Sequence, residues 1–216
     1  MIWYFTLVLI IMAFIASLTL FFQTDTESYL RLFPVFLLVC ILQESVSSYL
    51  QLHLKDNLFL SNPFTVLVFC FYFFILRQII HNTKMKKAIL YILFGYAVIA
   101  FINIYFIQKH NEFHTITYSL GCLLVVAMSI YYFWELFQSS RMVNLLRQPA
   151  FWICSGLLFY FACSFPLYGL NNLIFSNLSV STIHNLMILF NLLDVFLYSS
   201  FIIAFLCRIR VRKSML

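Results

Sequence analysis

Seven apolar runs of about 20 residues, each closed by a polar or basic break, constrain this chain more than any other feature of it. They cover about 2–22, 31–52, 62–80, 88–108, 115–137, 150–170 and 182–206. At roughly 1.5 Å per helical residue, runs of that length match a hydrocarbon core of roughly 30 Å. A soluble domain of 216 residues has nowhere to hide so much apolar surface. Hydrophobic residues make up 64% of the chain and charged residues 9%, against roughly 25% charged in soluble domains. The expectation is an all-α polytopic membrane protein: a single seven-helix bundle over 1–216 with the lipid bilayer as its solvent. Short connections make consecutive helices antiparallel neighbours and leave no room for a second domain.

Orientation follows from the basic residues. With the N-terminus outside, Arg31, Arg77, Lys84, Lys86, Lys87, Arg141, Arg147, Arg208, Arg210, Arg212 and Lys213 fall on the cytoplasmic side, leaving Lys55 and Lys109 outside. Eleven of thirteen on one side is the asymmetry of cytoplasmic loops, and adding or removing one helix destroys it. The C-terminus is therefore expected in the cytoplasm, and the membrane is read as a bacterial plasma membrane. The net charge of +6 does not indicate nucleic acid, because no domain organises the basic clusters into a groove. Lys84, Lys86, Lys87, Arg208, Arg210, Arg212 and Lys213 read instead as a face for anionic lipid or a partner. The first run has no basic leader and no small-residue cleavage pattern, so it reads as a retained helix. Asn62 followed by Pro63 predicts an N-cap and first residue for the third helix, and Pro149 opens the sixth.

Acids inside the apolar runs carry the functional signal, because each costs several kcal/mol in lipid unless paired or hydrated. Glu44 and Asp194 both fall near the middle of their runs. At about 100° per residue, Cys40, Glu44, Ser47, Ser48 and Gln51 share a sector of roughly 100°, and His184, Asn191, Asp194 and Tyr198 one of roughly 80°. Two polar stripes at one depth predict an interior polar site for a ligand, an ion or a proton; the bland alternative is a hydrogen-bond network that holds the bundle together. Tyr118, Cys122, Ser129 and Tyr132 form a weaker third stripe on the fifth run. Glu135, near Arg77, Arg141 and Arg147, predicts an interfacial ion pair. His110 and His114 are four apart, the spacing of a metal pair on a helix, and are weak metal candidates only.

Several chemistries are excluded or unsupported. No lysine lies within a run, which removes a retinal Schiff base. HExxH, GxSxG and Gly-rich phosphate loops are absent. All six cysteines sit in or at the ends of apolar runs as small hydrophobes. No cofactor is implied. The 177–179 triplet Asn-Leu-Ser is a formal glycosylation acceptor of low specificity. With only four glycines and four prolines, neither broken midplane helices nor glycine-mediated helix contacts are expected.

The stretches QPAFWICSGLLFYFACSF at 148–165 and IHNLMILFNLLDVFLYSSFIIAFLCRIR at 183–210 resemble helices 6 and 7 of uncharacterised bacterial seven-helix membrane modules, some of which precede a sensor histidine kinase. The matching residues are Pro149, Phe151, Trp152, Gly156, Tyr160, His184, Asn185 and Asn191, with the basic exit at Arg208, Arg210, Arg212 and Lys213. The resemblance implies a membrane sensing or signal-relay module. Ser214, Met215 and Leu216 alone follow the basic tail, so the output is expected to come from a separate partner. The leading expectation is thus a non-enzymatic sensor or accessory subunit whose Glu44 and Asp194 stripes bind a small ligand or respond to protonation. A small transporter or channel using the same acids as a proton or cation relay is the alternative, and a lipid-modifying enzyme the third. Oligomeric state is left open, a homo-oligomer included. If the orientation is right, a fluorescent protein fused after Leu216 glows in intact bacteria, whereas a periplasm-dependent phosphatase fused there is inactive; the reverse pair of results inverts the topology.

Overall fold

The computed structural model describes residues 3–22, 27–53, 57–107, 113–138, 144–169 and 180–213; side chains of 3, 4, 105, 107, 169, 180–185, 187 and 208–213 lie outside the description. Among the described residues there are helices and no strands, and seven of the helices are long and apolar enough to cross a membrane. This is the pattern of a multi-pass membrane protein. In chain order, α1 is Trp3–Leu18, tightening into a 3-10 turn at Thr19–Phe22, and α2 is Phe33–Leu52. Next come α3 Leu58–Ile79, α4 Thr83–Ile102 with a π turn at Asn103–Ile107, and α5 Thr115–Gln138. The chain ends with α6 Pro149–Gly169 and α7 Val180–Lys213. A membrane offers no water to a free N–H or C=O, so each span satisfies its backbone within its own helix.

Three boundaries differ from the sequence reading, each for a local reason. Pro149 does open α6. Pro63, however, lies inside α3, which begins a turn earlier at Leu58 because the Asn57 carbonyl accepts from Leu60 N at 3.1 Å and Ser61 N at 3.0 Å. Proline so close to a helix start forfeits one bond and is tolerated. α4 starts at Thr83 and not at 88, since the Asn82 side chain accepts from the Lys84 and Met85 amides. Lys84, Lys86 and Lys87 therefore stand on the first turns of a helix and not in a loop. Finally, α7 continues helically through Arg208, Arg210, Arg212 and Lys213, beyond the expected end at 206.

Packing contacts run α1 to α2, α2 to α3, α3 to α5, α5 to α6, α6 to α7 and α7 back to α1. Six helices thus close a ring. α4 lies outside it, against α3, and turns Tyr91, Phe94 and Val98 outward. Helices 1, 3, 5 and 7 begin at one end of the bundle, called here the N-terminal end. The interior is aromatic: Phe33 of α2 meets Phe71 of α3 at 5.4 Å and Phe201 and Phe205 of α7 at 5.3 Å each, all edge-on. Edge-to-face geometry aligns the positive rim of one ring with the negative face of the next.

Glycine does carry two close approaches, contrary to the sequence expectation. A Cβ on Gly121 would meet the Phe69 ring at 2.8 Å, and one on Gly156 would meet Ser200 Cβ at 2.9 Å. A ring can swing aside; a Cβ on a packed helix moves only with its backbone. Gly95, by contrast, faces open space. Gly156→Ala is accordingly expected to destabilise by roughly 1–3 kcal/mol through overpacking, while Gly95→Ala is neutral or gains up to about 1 kcal/mol of helix propensity. Thermal unfolding of the two variants in detergent checks the order, and equal melting temperatures refute it.

Candidate functional site

Inside the ring, towards the N-terminal end, lies a cavity of about 370 Å³, within the usual size range of small-molecule sites. All six ring helices line it and α4 does not. α1 contributes Thr6 and Ile10; α2 contributes Phe36, Cys40 and Glu44. α3 lends Phe64, Thr65, Val68, Phe69 and Tyr72, and α5 lends Tyr118. α6 brings Tyr160, Phe161 and Tyr168; α7 brings Phe190, Asn191, Asp194, Leu197 and Tyr198. The walls are therefore largely aromatic, with two carboxyl groups set among five tyrosines.

Asp194 is held from two sides. Thr6 Oγ1 donates to Asp194 Oδ2 at 3.0 Å, tying the first and last helices together across 188 residues of sequence, and the Tyr160 phenol bonds the same carboxyl group. Glu44 approaches from α2, half-buried, with no hydrogen bond or ion pair among the described residues. No Lys, Arg or His is among the described residues that line the cavity. Tyrosine rings pave the end nearer the helix starts: Tyr118 packs on Tyr168 at 4.4 Å, and Tyr168 on Phe190 at 4.8 Å. At the deeper end, Phe36 stacks on Phe71 at 3.8 Å, and the Phe33, Phe201 and Phe205 rings lie beyond. The cavity is closed on that side by packed aromatic side chains.

Of the residues singled out from sequence, Glu44, Asn191, Asp194 and Tyr198 meet in this cavity, joined by Cys40 and Tyr118. Ser47 does not: it is buried at the α2–α3 corner, where its Oγ accepts from Asn57 Nδ2 at 2.7 Å. Ser48 and Gln51, on later turns of α2, are also absent from the lining. A shared helix face does not guarantee a shared depth. The His184 side chain lies outside the described residues, as does His110. His114 is buried at the start of α5, and no group of three metal-ligating side chains occurs among the described residues. Cys122, Ser129 and Tyr132 sit on α5 below or away from the cavity.

Sequence reasoning missed Thr6, Thr65, Tyr72, Tyr160 and Tyr168. For Thr6 a signal existed: it is the one polar residue between 5 and 16. The tyrosines gave none, because aromatic residues are common throughout these runs. Glu135 also departs from expectation. Its carboxylate accepts from the backbone amides of His81 at 2.9 Å and Asn82 at 2.7 Å, capping the α3–α4 turn, and stands 3.9 Å from the exposed His81 ring. Arg77, one of the three arginines expected near it, donates from Nε to the Lys86 carbonyl at 3.2 Å, and Arg141 lies outside the described residues. An acceptor at the start of α4 offsets the unfavourable placement of lysines near a helix N-terminus.

No family model matches the chain, and no curated protein or solved structure matches it either. The chemistry of the site rests on its own residues. Two of these contacts differ measurably in strength. Glu135→Ala strips two backbone N–H groups of a charged acceptor and is expected to cost about 1.5–3 kcal/mol, whereas His81→Ala changes stability little because its contact is solvent-screened. Equal effects in a detergent unfolding assay would refute the capping role.

Proposed function

We propose that this protein is a non-enzymatic sensor or signal-relay subunit of a bacterial plasma membrane that binds a small organic cation in the Glu44 and Asp194 cavity. The observation that carries the reading is charge without a counter-charge: two carboxyl groups face one cavity whose described lining holds no basic side chain. Acids at this depth are costly and are kept where they meet a cation, a proton or a polar network. The rings of Tyr72, Tyr118, Tyr160, Tyr168 and Tyr198 in the lining supply what a cation can use beyond charge, since a positive centre over a ring face gains roughly 0.5–2 kcal/mol per ring.

With the N-terminus outside, as the distribution of Lys and Arg supports, the cavity occupies the outer half of the bundle. A ligand there draws on Thr6 of α1, Glu44 of α2 and Asp194 of α7 at once. α7 runs the full depth of the bundle and carries Arg208, Arg210, Arg212 and Lys213 at its far end. A shift of α7 on ligand binding is thus delivered to a basic segment that a separate partner reads beside anionic lipid. Packed rings of Phe33, Phe201 and Phe205 below the cavity favour a closed sensing site over an open conduit.

The test uses tetramethylammonium as the probe, titrated into the full chain in detergent at constant ionic strength. Saturable stabilisation is expected for the wild type, weakened at least tenfold, or about 1.4 kcal/mol, in a Glu44→Gln, Asp194→Asn double variant. No saturable response, or one that the double variant retains, overturns the reading. Probe flux into proteoliposomes that disappears in Asp194→Asn would transfer the same site to a carrier.

A further inference from the structure

The opposite end of the bundle holds a second, larger cavity, of about 480 Å³. It lies between the turn before α2, the end of α3, the end of α5 and the start of α6, separated from the first cavity by the aromatic layer around Phe33. Its polar lining consists of Glu27, Tyr29, Gln78, His81, Tyr132, Glu135 and Gln148. None of the neighbouring basic residues Arg31, Arg77, Lys84, Lys86, Lys87 and Arg147 is among the described residues lining it.

Tyr132 is the informative member. The residue is only 4% exposed, yet its hydroxyl has no hydrogen-bond partner among the described residues. It lies within electrostatic reach of both Glu27 and Glu135. A buried hydroxyl left unpaired is destabilising, and a bound group can relieve that. Tyr29, 6% exposed, lies against Glu27 in the same wall, and burial with that neighbouring carboxylate holds its phenol above the ordinary pKa and so neutral. Glu135 is fixed in place by the two turn amides it caps, and a carboxylate has about four acceptor positions, so about two are left beyond those bonds. The wall therefore presents the Glu135 carboxylate, held in place, together with the Glu27 carboxylate and the Tyr132 hydroxyl.

We propose that this cavity is a second binding site, selective for a ligand bearing primary ammonium groups, held between Glu27 and Glu135 and bonded by the Tyr132 hydroxyl. Primary ammonium fits because it supplies three N–H donors to acceptors that a quaternary ammonium cannot satisfy. A metal ion is the poorer fit, because the described residues hold no cluster of three ligating side chains. The ammonium comes either from a small free amine or from an aminophospholipid headgroup reaching between the helix ends.

The experiment measures thermal stabilisation of the full chain by 1,3-diaminopropane against tetramethylammonium at equal ionic strength. All proteins carry the Glu44→Gln, Asp194→Asn background, so that the first cavity does not contribute. Stabilisation by the diamine alone is expected, weakened about tenfold by Tyr132→Phe, which deletes one oxygen from an otherwise intact ring. Glu27→Gln should weaken it comparably, with the helical circular dichroism of both variants unchanged. In parallel, the same proteins are reconstituted in phosphatidylglycerol vesicles with or without phosphatidylethanolamine. Stabilisation by phosphatidylethanolamine that requires the Tyr132 hydroxyl identifies the headgroup as the source. Equal responses to the two ammonium ions, or diamine and lipid effects that Tyr132→Phe leaves intact, overturn the proposal.

Discussion

Edge-on packing of Phe33 with Phe71, Phe201 and Phe205 joins α2, α3 and α7 at the start of α2. Between helices already bathed in an apolar solvent, burial brings little hydrophobic gain, so shape-matched dispersion and ring electrostatics must hold the spans together. A bundle rich in rings packs tightly where they interlock and leaves space where they diverge. Space opens above Phe36, where carboxyl groups enter from α2 and α7, and again below, where helix ends meet the turns.

The ring order of the helices gives this packing its consequence. Because α1 closes against α7, the first and last spans share the Thr6 to Asp194 hydrogen bond, and α2 supplies Glu44 from the next position round. Gly156 permits the close contact of α6 with α7 at Ser200 that places Tyr160 beside the same carboxyl group. α4 stands outside and contributes exposed apolar surface, and the turn after it adds an interior tie from Asn103 Nδ2 to Thr117 Oγ1 at 2.6 Å. A polar centre lined by six of the seven long helices is placed to bias their arrangement if a ligand occupies it, which is what the proposed sensing role requires.

Legibility differed between the two acids and their surroundings. Glu44 and Asp194 stood out as sequence because a charge within an apolar run is rare, whatever the fold. Asn191 and Tyr198 followed from helical periodicity on the same face of α7. Ser47 shared the face of Glu44 and yet left the site, since the turn after α2 brings Asn57 within 2.7 Å of its hydroxyl. Glu135 was paired with arginine because both fall at the same level of the spans, while the folded turn offered it two backbone amides.

Residue order alone settles how many spans there are and how long each is, because the transfer of a helix into lipid sums over neighbouring residues and needs no distant partner. It also marks the acids as unusual, for the same local reason. Which polar groups meet is another matter: it depends on the rotation of each helix about its axis and on the order of helices around the ring, and both are set by contacts between residues far apart in the chain. Thr6 found Asp194, and Tyr132 was left facing Glu27 and Glu135, through tertiary packing that no single run of the sequence encodes.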